Sequence, residues 1–209
     1  MIHISIADNQ PVVMHGVKCF FKNHPEISVR DTISHIQEIN YSLNTAEVNI
    51  LVIDIELEGL HSINSLKKII SENPYVKLLI FTCASEKLFG LTSLKAGAAG
   101  FISKADPLIK LQQAILEISQ GKTVFSESVH KSVLTCARLN GEGPIYRKLS
   151  LREMEVLRYL ASGKKNHEIS ELLSLNEKTI STYKLRLLNK LRVTNIIDLV
   201  NKAKLLEIV

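Results

Sequence analysis

Asp8, Asn9, Asp54, Thr82 and Lys104 are residue types that could act together on a phosphoryl group. Asp8 and Asp54 could hold Mg²⁺ through their oxygens, as hard cations require. Asp54 could also attack a phosphoryl donor as a nucleophile. Thr82 could donate to a phosphoryl oxygen, and the Lys104 ammonium could neutralise the product. Each residue alone has a simpler reading. An aspartate after a strand is commonly a turn former or helix cap. A threonine there is a β-former, and a lysine is a solvated cation. One such residue at the end of each of four strands, in order, is much harder to reach by chance.

The elements that would position them are visible as apolar runs. IHISIA (2–7), ISVRDT (27–32), NILVIDI (49–55), VKLLIFT (76–82) and AGFIS (99–103) read as strands. Helical patterns fall at 11–23, 35–45, 60–72, 86–97 and 107–119. This alternation predicts a parallel sheet with helices on both faces. Runs as apolar as ILVID and LLIFT suit strands buried on both sides. Pro11 and Pro107 can begin helices, and Asn73-Pro74 can close one. The sheet's carboxyl edge would then carry the reactive set, where open parallel sheets collect their chemistry.

A second constellation lies in the last third of the chain. Ser150 and Glu153 form a capping box, followed by an apolar face of Met154, Val156, Leu157, Leu160 and Ala161. Gly163 ends that helix. A short helix spans 167–173, Ser174-Leu175-Asn176 is a turn, and further helices span 177–191 and 195–206. Lys178, Lys184, Arg186, Lys190 and Arg192 fall in a stretch without Asp or Glu. A surface helix usually mixes signs for i,i+4 pairs, so this one is expected to draw its counter-charge from outside. At 100° per residue Ile180, Leu187 and Leu191 face inward, flanked by Tyr183 and Leu188. Lys178, Ser181, Thr182, Leu185 and Asn189 face outward, suited to base edges and a thymine methyl. Thr179, Lys184 and Arg186 lie at the sides, suited to phosphates. The alternative is a basic surface helix with Leu185 in a subunit contact. In the last helix Ile197, Val200 and Lys204 form a stripe beyond what the core needs, which suggests a dimer contact.

Charge is uneven along the chain. Residues 1–120 carry net −2, residues 121–148 net +3 and residues 149–209 net +4, within a total of +5. One half thus favours a polyanion partner. A hydrophobic share of 45% and a charged share of 22% suit an ordinary globular protein. No apolar run reaches the roughly 18 residues of a spanning helix. No export signal is visible, so a cytoplasmic protein without membrane contact is expected. Cys19, Cys83 and Cys136 match no metal or disulfide spacing and read as reduced, mostly packed thiols.

With these stretches in hand, a family resemblance is clear. Residues 1–120, with AAGFISK at 98–104, resemble a two-component receiver domain. LSLREMEVLRYLASGK (149–164) and KTISTYKLRLLNKL (178–191) resemble a LuxR-type DNA-binding domain of the NarL/FixJ class. The whole is similar to response regulators of the BvgA, EvgA and FimZ-like group. The resemblance implies an α/β receiver with a doubly wound, flavodoxin-like five-stranded parallel sheet over 1–120. Between the two, Gly121 and Asn140-Gly141-Glu142-Gly143-Pro144 bracket a weak helical pattern at about 127–139, read as a linker with one helix over 121–148. The resemblance then implies an all-α four-helix helix-turn-helix domain over 149–209, its helix-turn-helix at 166–185. Asp54 becomes the phospho-acceptor, Thr82 and Phe101 the switch pair, and Lys104 the phosphate clamp. Asp8, Asn9, Asp54 and Glu56 become the Mg²⁺ set. Double-stranded DNA, a cognate sensor histidine kinase and a second copy of the chain become the partners.

Three departures stand out. Asn9 falls where the family usually has a carboxylate touching Mg²⁺. Glu58 and Ser62 replace the usual proline and glycine. An amide oxygen is a weaker ligand for a hard cation, so weak Mg²⁺ binding and slower phosphorylation are expected. A DNA-binding regulator indifferent to phosphorylation remains the alternative. A Mg²⁺-dependent phosphatase is a third reading, opposed by the lack of a Gly-rich phosphate loop and of a general base.

Overall fold

The computed structural model describes residues 1–45, 47–60, 63–131 and 149–205. Ser62, Cys136 and the Asn140–Pro144 stretch lie outside the described residues. The chain divides into two compact units, Met1–Arg138 and Leu139–Val209.

The first unit is built on β1 (Ile2–Ala7), β2 (Ile27–Ile33), β3 (Ile50–Ile53), β4 (Lys77–Thr82) and β5 (Gly100–Ser103). All neighbours pair in parallel, in the order β2-β1-β3-β4-β5. Between them run α1 (Pro11–Phe21), α2 (Ile39–Thr45), α3 (Ile63–Glu72), α4 (Glu86–Ala96) and α5 (Leu108–Ser119), with a 3-10 turn at Ile36–Glu38 before α2. The four residues of β3 are all buried, as an all-apolar central strand requires. Ile4, Ile6, Val52, Leu79, Leu111 and Ile115 belong to one core. From β1 the chain crosses to β2 on one side and next to β3 on the other. The crevice between the carboxyl ends of β1 and β3 is therefore the switch point of the sheet.

Several strands and helices end earlier than their sequence patterns suggest. Asp54 follows β3 rather than lying in it, and Pro107 caps α5 from outside. Cys19 and Cys83 are free and exposed rather than packed. The larger difference comes after α5. Sequence composition places a linker from residue 121, yet the chain there returns to the sheet. The Val124 N–H donates to the Ala99 carbonyl at 2.8 Å, and the Phe101 N–H to the Val124 carbonyl at 2.9 Å. A short fifth pairing, a parallel bridge between Gly100 and Val124, thus covers the exposed edge of β5, a common way to blunt a free edge. The Ser126 N–H then donates to the Glu86 carboxylate at 2.9 Å, and Val129 is buried beside Gly90. A β-carbon on Gly90 would come within 2.7 Å of Val129, so only glycine admits this contact.

The second unit holds α6 (Leu151–Ala161), α7 (Asn166–Leu172), α8 (Glu177–Leu191) and α9 (Ile196–Leu205). Val156, Leu157, Ile169, Ile180, Leu187, Leu191, Leu199 and Ala203 form its fully buried interior. The capping box is present at the start of α6. Ser174 turns the chain between α7 and α8 with φ of 52°. Asn176 caps α8 by accepting from the Lys178 N–H at 2.8 Å. Among the described residues no helix is long and apolar enough to cross a membrane.

Candidate functional site

Three strand ends set the acidic site. The Asp54 N–H donates to the Ala7 carbonyl at 2.9 Å, the Asp8 N–H to the Ile33 carbonyl at 3.0 Å, and the Lys104 N–H to the Thr82 carbonyl at 2.9 Å. The ladder thus extends one residue past each strand and fixes where these side chains start. Lys104 reaches both carboxylates, at 2.5 Å to Asp54 Oδ2 and 2.7 Å to Asp8 Oδ2. The Thr82 hydroxyl donates to Asp54 Oδ1 at 2.6 Å, and the Glu56 N–H donates to the same oxygen at 2.9 Å. The Gln10 N–H donates to Asp8 Oδ1 at 2.8 Å. Asp8, Asp54 and Thr82 are all buried.

Burial raises the Asp8 carboxyl above its ordinary value, against the lowering pull of Lys104 and of the Gln10 N–H. Burial pulls the Lys104 ammonium down, but its hydrogen bonds and attraction to Asp54 and Asp8 outweigh this and raise it. The proton therefore stays on Lys104 at neutral pH. One ammonium between two buried carboxylates leaves the cluster short of positive charge, and Lys104 is the group in it that could balance a phosphoryl charge.

Asn9 is brought to the site but aimed elsewhere. Its Nδ2 donates to the Glu56 carbonyl at 2.6 Å, and its Oδ1 accepts from the Glu58 N–H at 2.7 Å. Two of the four residues expected to hold Mg²⁺ are thereby turned on each other. The resemblance implies Mg²⁺ at this edge. Here every oxygen just named already has a donor, and an amide N–H points at the Glu56 carbonyl. The donor set as arranged does not fit a hard dication. Phe101 lies on β5, buried and in register with Ile80.

On α8 the inward face is Ile180, Leu187 and Leu191, as the periodicity indicates. Lys178, Thr182, Leu185, Arg186 and Asn189 are exposed, with Leu185 at 61%. Thr179, Ser181 and Lys184 are half-buried. The Ser181 hydroxyl accepts from Asn166 Nδ2 at 3.2 Å, so it ties α8 to α7 as well as facing out. Arg186, expected at the edge, is exposed and its guanidinium lies 5.9 Å from the Tyr183 ring. Lys190 corrects the expectation of an outside counter-charge. Its ammonium lies 2.6 Å from Glu153 Oε2, inside the protein. On α9, Ile197 is 69% exposed while Leu199 and Ala203 are fully buried. Val200 is half-buried and Lys204 exposed.

Residues 4–116 match the family described as "Response regulator receiver domain", and residues 147–203 match "Bacterial regulatory proteins, luxR family". The chain is a two-component response regulator. It is 34% identical over 203 residues to the Fimbriae Z protein of Salmonella typhimurium, covering 96% of this chain and 95% of that one. It is 28% identical over 201 residues to "Virulence factors putative positive transcription regulator BvgA" of Bordetella pertussis, covering 96% of each. A solved structure of RcsB from Salmonella enterica serovar Typhimurium, bound to a promoter with phosphomimetic BeF3-, is similar with a TM-score of 0.64. It is 25% identical, covering 96% of this chain and 97% of that one.

Sequence reading of this response regulator missed Gln10, Asn166 and Glu153 as organisers of its two sites. Gln10 and Asn166 carry no periodic signal. Glu153 was legible as a helix cap, but its hold on Lys190 bridges 37 positions and leaves no local trace.

Proposed function

We propose that phosphorylation of Asp54 controls DNA binding by α8, with a sensor histidine kinase as donor and a homodimer as the binding species in the cytoplasm. The observation that carries this reading is the buried Asp54 carboxylate held by Thr82 and Lys104 at the sheet's switch point. An Asp54 oxygen forms a bond to phosphorus as the phosphorus bond to the donor breaks, and Lys104 stays to balance the added charge. Thr82 then loses its present acceptor geometry and turns to the phosphoryl oxygens. The segment around 124–129 supports a route outward. It is bonded to β5 at Phe101 and packed on α4, so rearrangement of either element acts directly on this segment.

DNA affinity of the full chain, with and without a phosphoryl mimic, tests this. Wild type should gain about tenfold or more, in the usual range of allosteric coupling. Asp54→Asn should lose the gain. If Asp54→Asn and Asp54→Glu both bind as wild type does, with or without the mimic, the phosphorylation-independent reading takes its place. That second reading draws on the bonded state of Asn9.

On α8 this reading assigns the exposed Lys178, Thr182 and Leu185 to base edges, and gives Ser181 a DNA contact beside its bond from Asn166. It assigns Thr179, Lys184 and Arg186 to phosphates. Lys184→Ala should weaken binding to all sequences alike and reduce the slope of log K against log salt by about 0.9. Thr182→Ala should instead change the preference between sequences, by about 1–3 kcal/mol at the affected base pair. Titrations on two duplexes at two salt concentrations distinguish them, and identical behaviour of the two variants overturns the division. Ile197, Val200 and Lys204 line the proposed dimer contact, which would set two half-sites about one helical turn apart.

A further inference from the structure

Two loops meet at the acidic site, one after β1 and one after β3. Each ends its strand with a buried carboxylate, Asp8 and Asp54. A divalent cation could join such loops through oxygen. Here the Asn9 carboxamide joins them instead, with Nδ2 on the Glu56 carbonyl at 2.6 Å and Oδ1 under the Glu58 N–H at 2.7 Å. We infer that Asn9 is a positioning residue that fastens the β3–α3 turn in place of a metal ion, so that the site keeps its arrangement without Mg²⁺.

The chemistry of the position decides the matter. A carboxamide offers N–H donors on one side and an acceptor oxygen on the other, and here each side has found its partner. A carboxylate of the same shape could still accept from the Glu58 N–H. It could not donate to the Glu56 carbonyl, and would press an anionic oxygen against a carbonyl oxygen. It would also add a third carboxylate beside Asp8 and Asp54, with only the Lys104 ammonium between the existing two. A dication is what such a cluster would need. One amide in place of one acid thus separates a metal-fastened turn from a self-fastened one.

The inference needs only this geometry and not the phosphorylation assigned above. Thermal unfolding of the full chain is measured in EDTA and in millimolar MgCl₂, against NaCl at matched ionic strength. Amide exchange at Glu58 is followed in parallel. Wild type should show no Mg²⁺-specific shift in its N-terminal transition. Asn9→Ala should exchange its Glu58 N–H about fivefold faster, as expected for one lost hydrogen bond, and Mg²⁺ should not restore it. Asn9→Asp should lower the transition by about 2–4 °C in EDTA and recover it in Mg²⁺. A wild type stabilised by Mg²⁺ as strongly as Asn9→Asp overturns the inference, and so does unchanged Glu58 exchange in Asn9→Ala. Either result leaves the regulatory reading intact. Conversely, a chain that never accepts phosphate at Asp54 leaves Asn9 in this role.

Discussion

Lys104→Met is expected to destabilise the N-terminal unit by about 3 kcal/mol at neutral pH, the scale for removing one partner of a buried ion pair. Its ammonium is the shared partner of two carboxylates, and the three side chains are 6% exposed or less. Removal leaves Asp8 and Asp54 facing each other without a cation. The pH dependence follows from the two shifts. Asp8 already sits above its ordinary carboxylate range because it is buried, and losing Lys104 removes what pulls it down. The folded state then binds that proton more readily than the unfolded chain does. The cost should be full at neutral pH and shrink as the pH falls through Asp8's raised titration. In wild type, Lys104 is raised, so its stabilisation is complete below the ordinary lysine value and lost as pH climbs through the raised one. Amide exchange of β1 and β3 at acid and neutral pH measures the first limb, and global unfolding followed into the alkaline range measures the second. A variant as stable as wild type at neutral pH, or one that gains nothing on acidification, contradicts this account.

Glu153→Ala should have the largest effect in the second unit, lowering its stability by about 2–3 kcal/mol. One buried carboxylate does two jobs there. It accepts from the Ser150 N–H at 2.7 Å to close the capping box of α6, and it holds the Lys190 ammonium of α8 at 2.6 Å. Glu153→Gln keeps an acceptor for the cap and loses only the ion pair, so it should fall between. Lys190→Ala carries the sharper test. If Lys190 serves the fold, the variant unfolds more easily while its log K against log salt slope stays that of wild type. If Lys190 instead grips a phosphate, the slope drops by about 0.9 and stability barely moves. Unfolding curves and salt titrations on the same preparations separate the two.

Much of the fold is legible in the amino-acid order. The short runs predict all five strands, most sharply β3 and β4, where burial on both faces leaves little room for polar residues, whereas β2 at the sheet's edge keeps Arg30 and Asp31. The bounds of α8 coincide with the predicted 177–191, since an asparagine cap begins it and the apolar stripe runs its length. The pairing of Asp8, Asp54, Thr82 and Lys104 also follows from order along the sheet, because each begins where a strand stops. Other readings needed the packed chain. Val124 belongs on the edge of β5 rather than in a free linker, because an open strand edge is a stronger determinant than the glycine before it. Arg186 faces out and Ser181 half in, because α7 packs against one side of α8 and not the other.

The amino-acid order alone determined the class of this protein: which segments are strands or helices, which residues crowd the sheet's carboxyl edge, and that α8 is cationic. Those are properties of neighbours in the chain, where periodicity and capping act within one element. Tertiary structure decided how the polar groups spend their hydrogen bonds. Asn9 turns to a loop 47 residues away and Lys190 to a glutamate 37 residues away. No local pattern encodes those separations, since they exist only once the elements have packed and each buried donor must find the acceptor beside it.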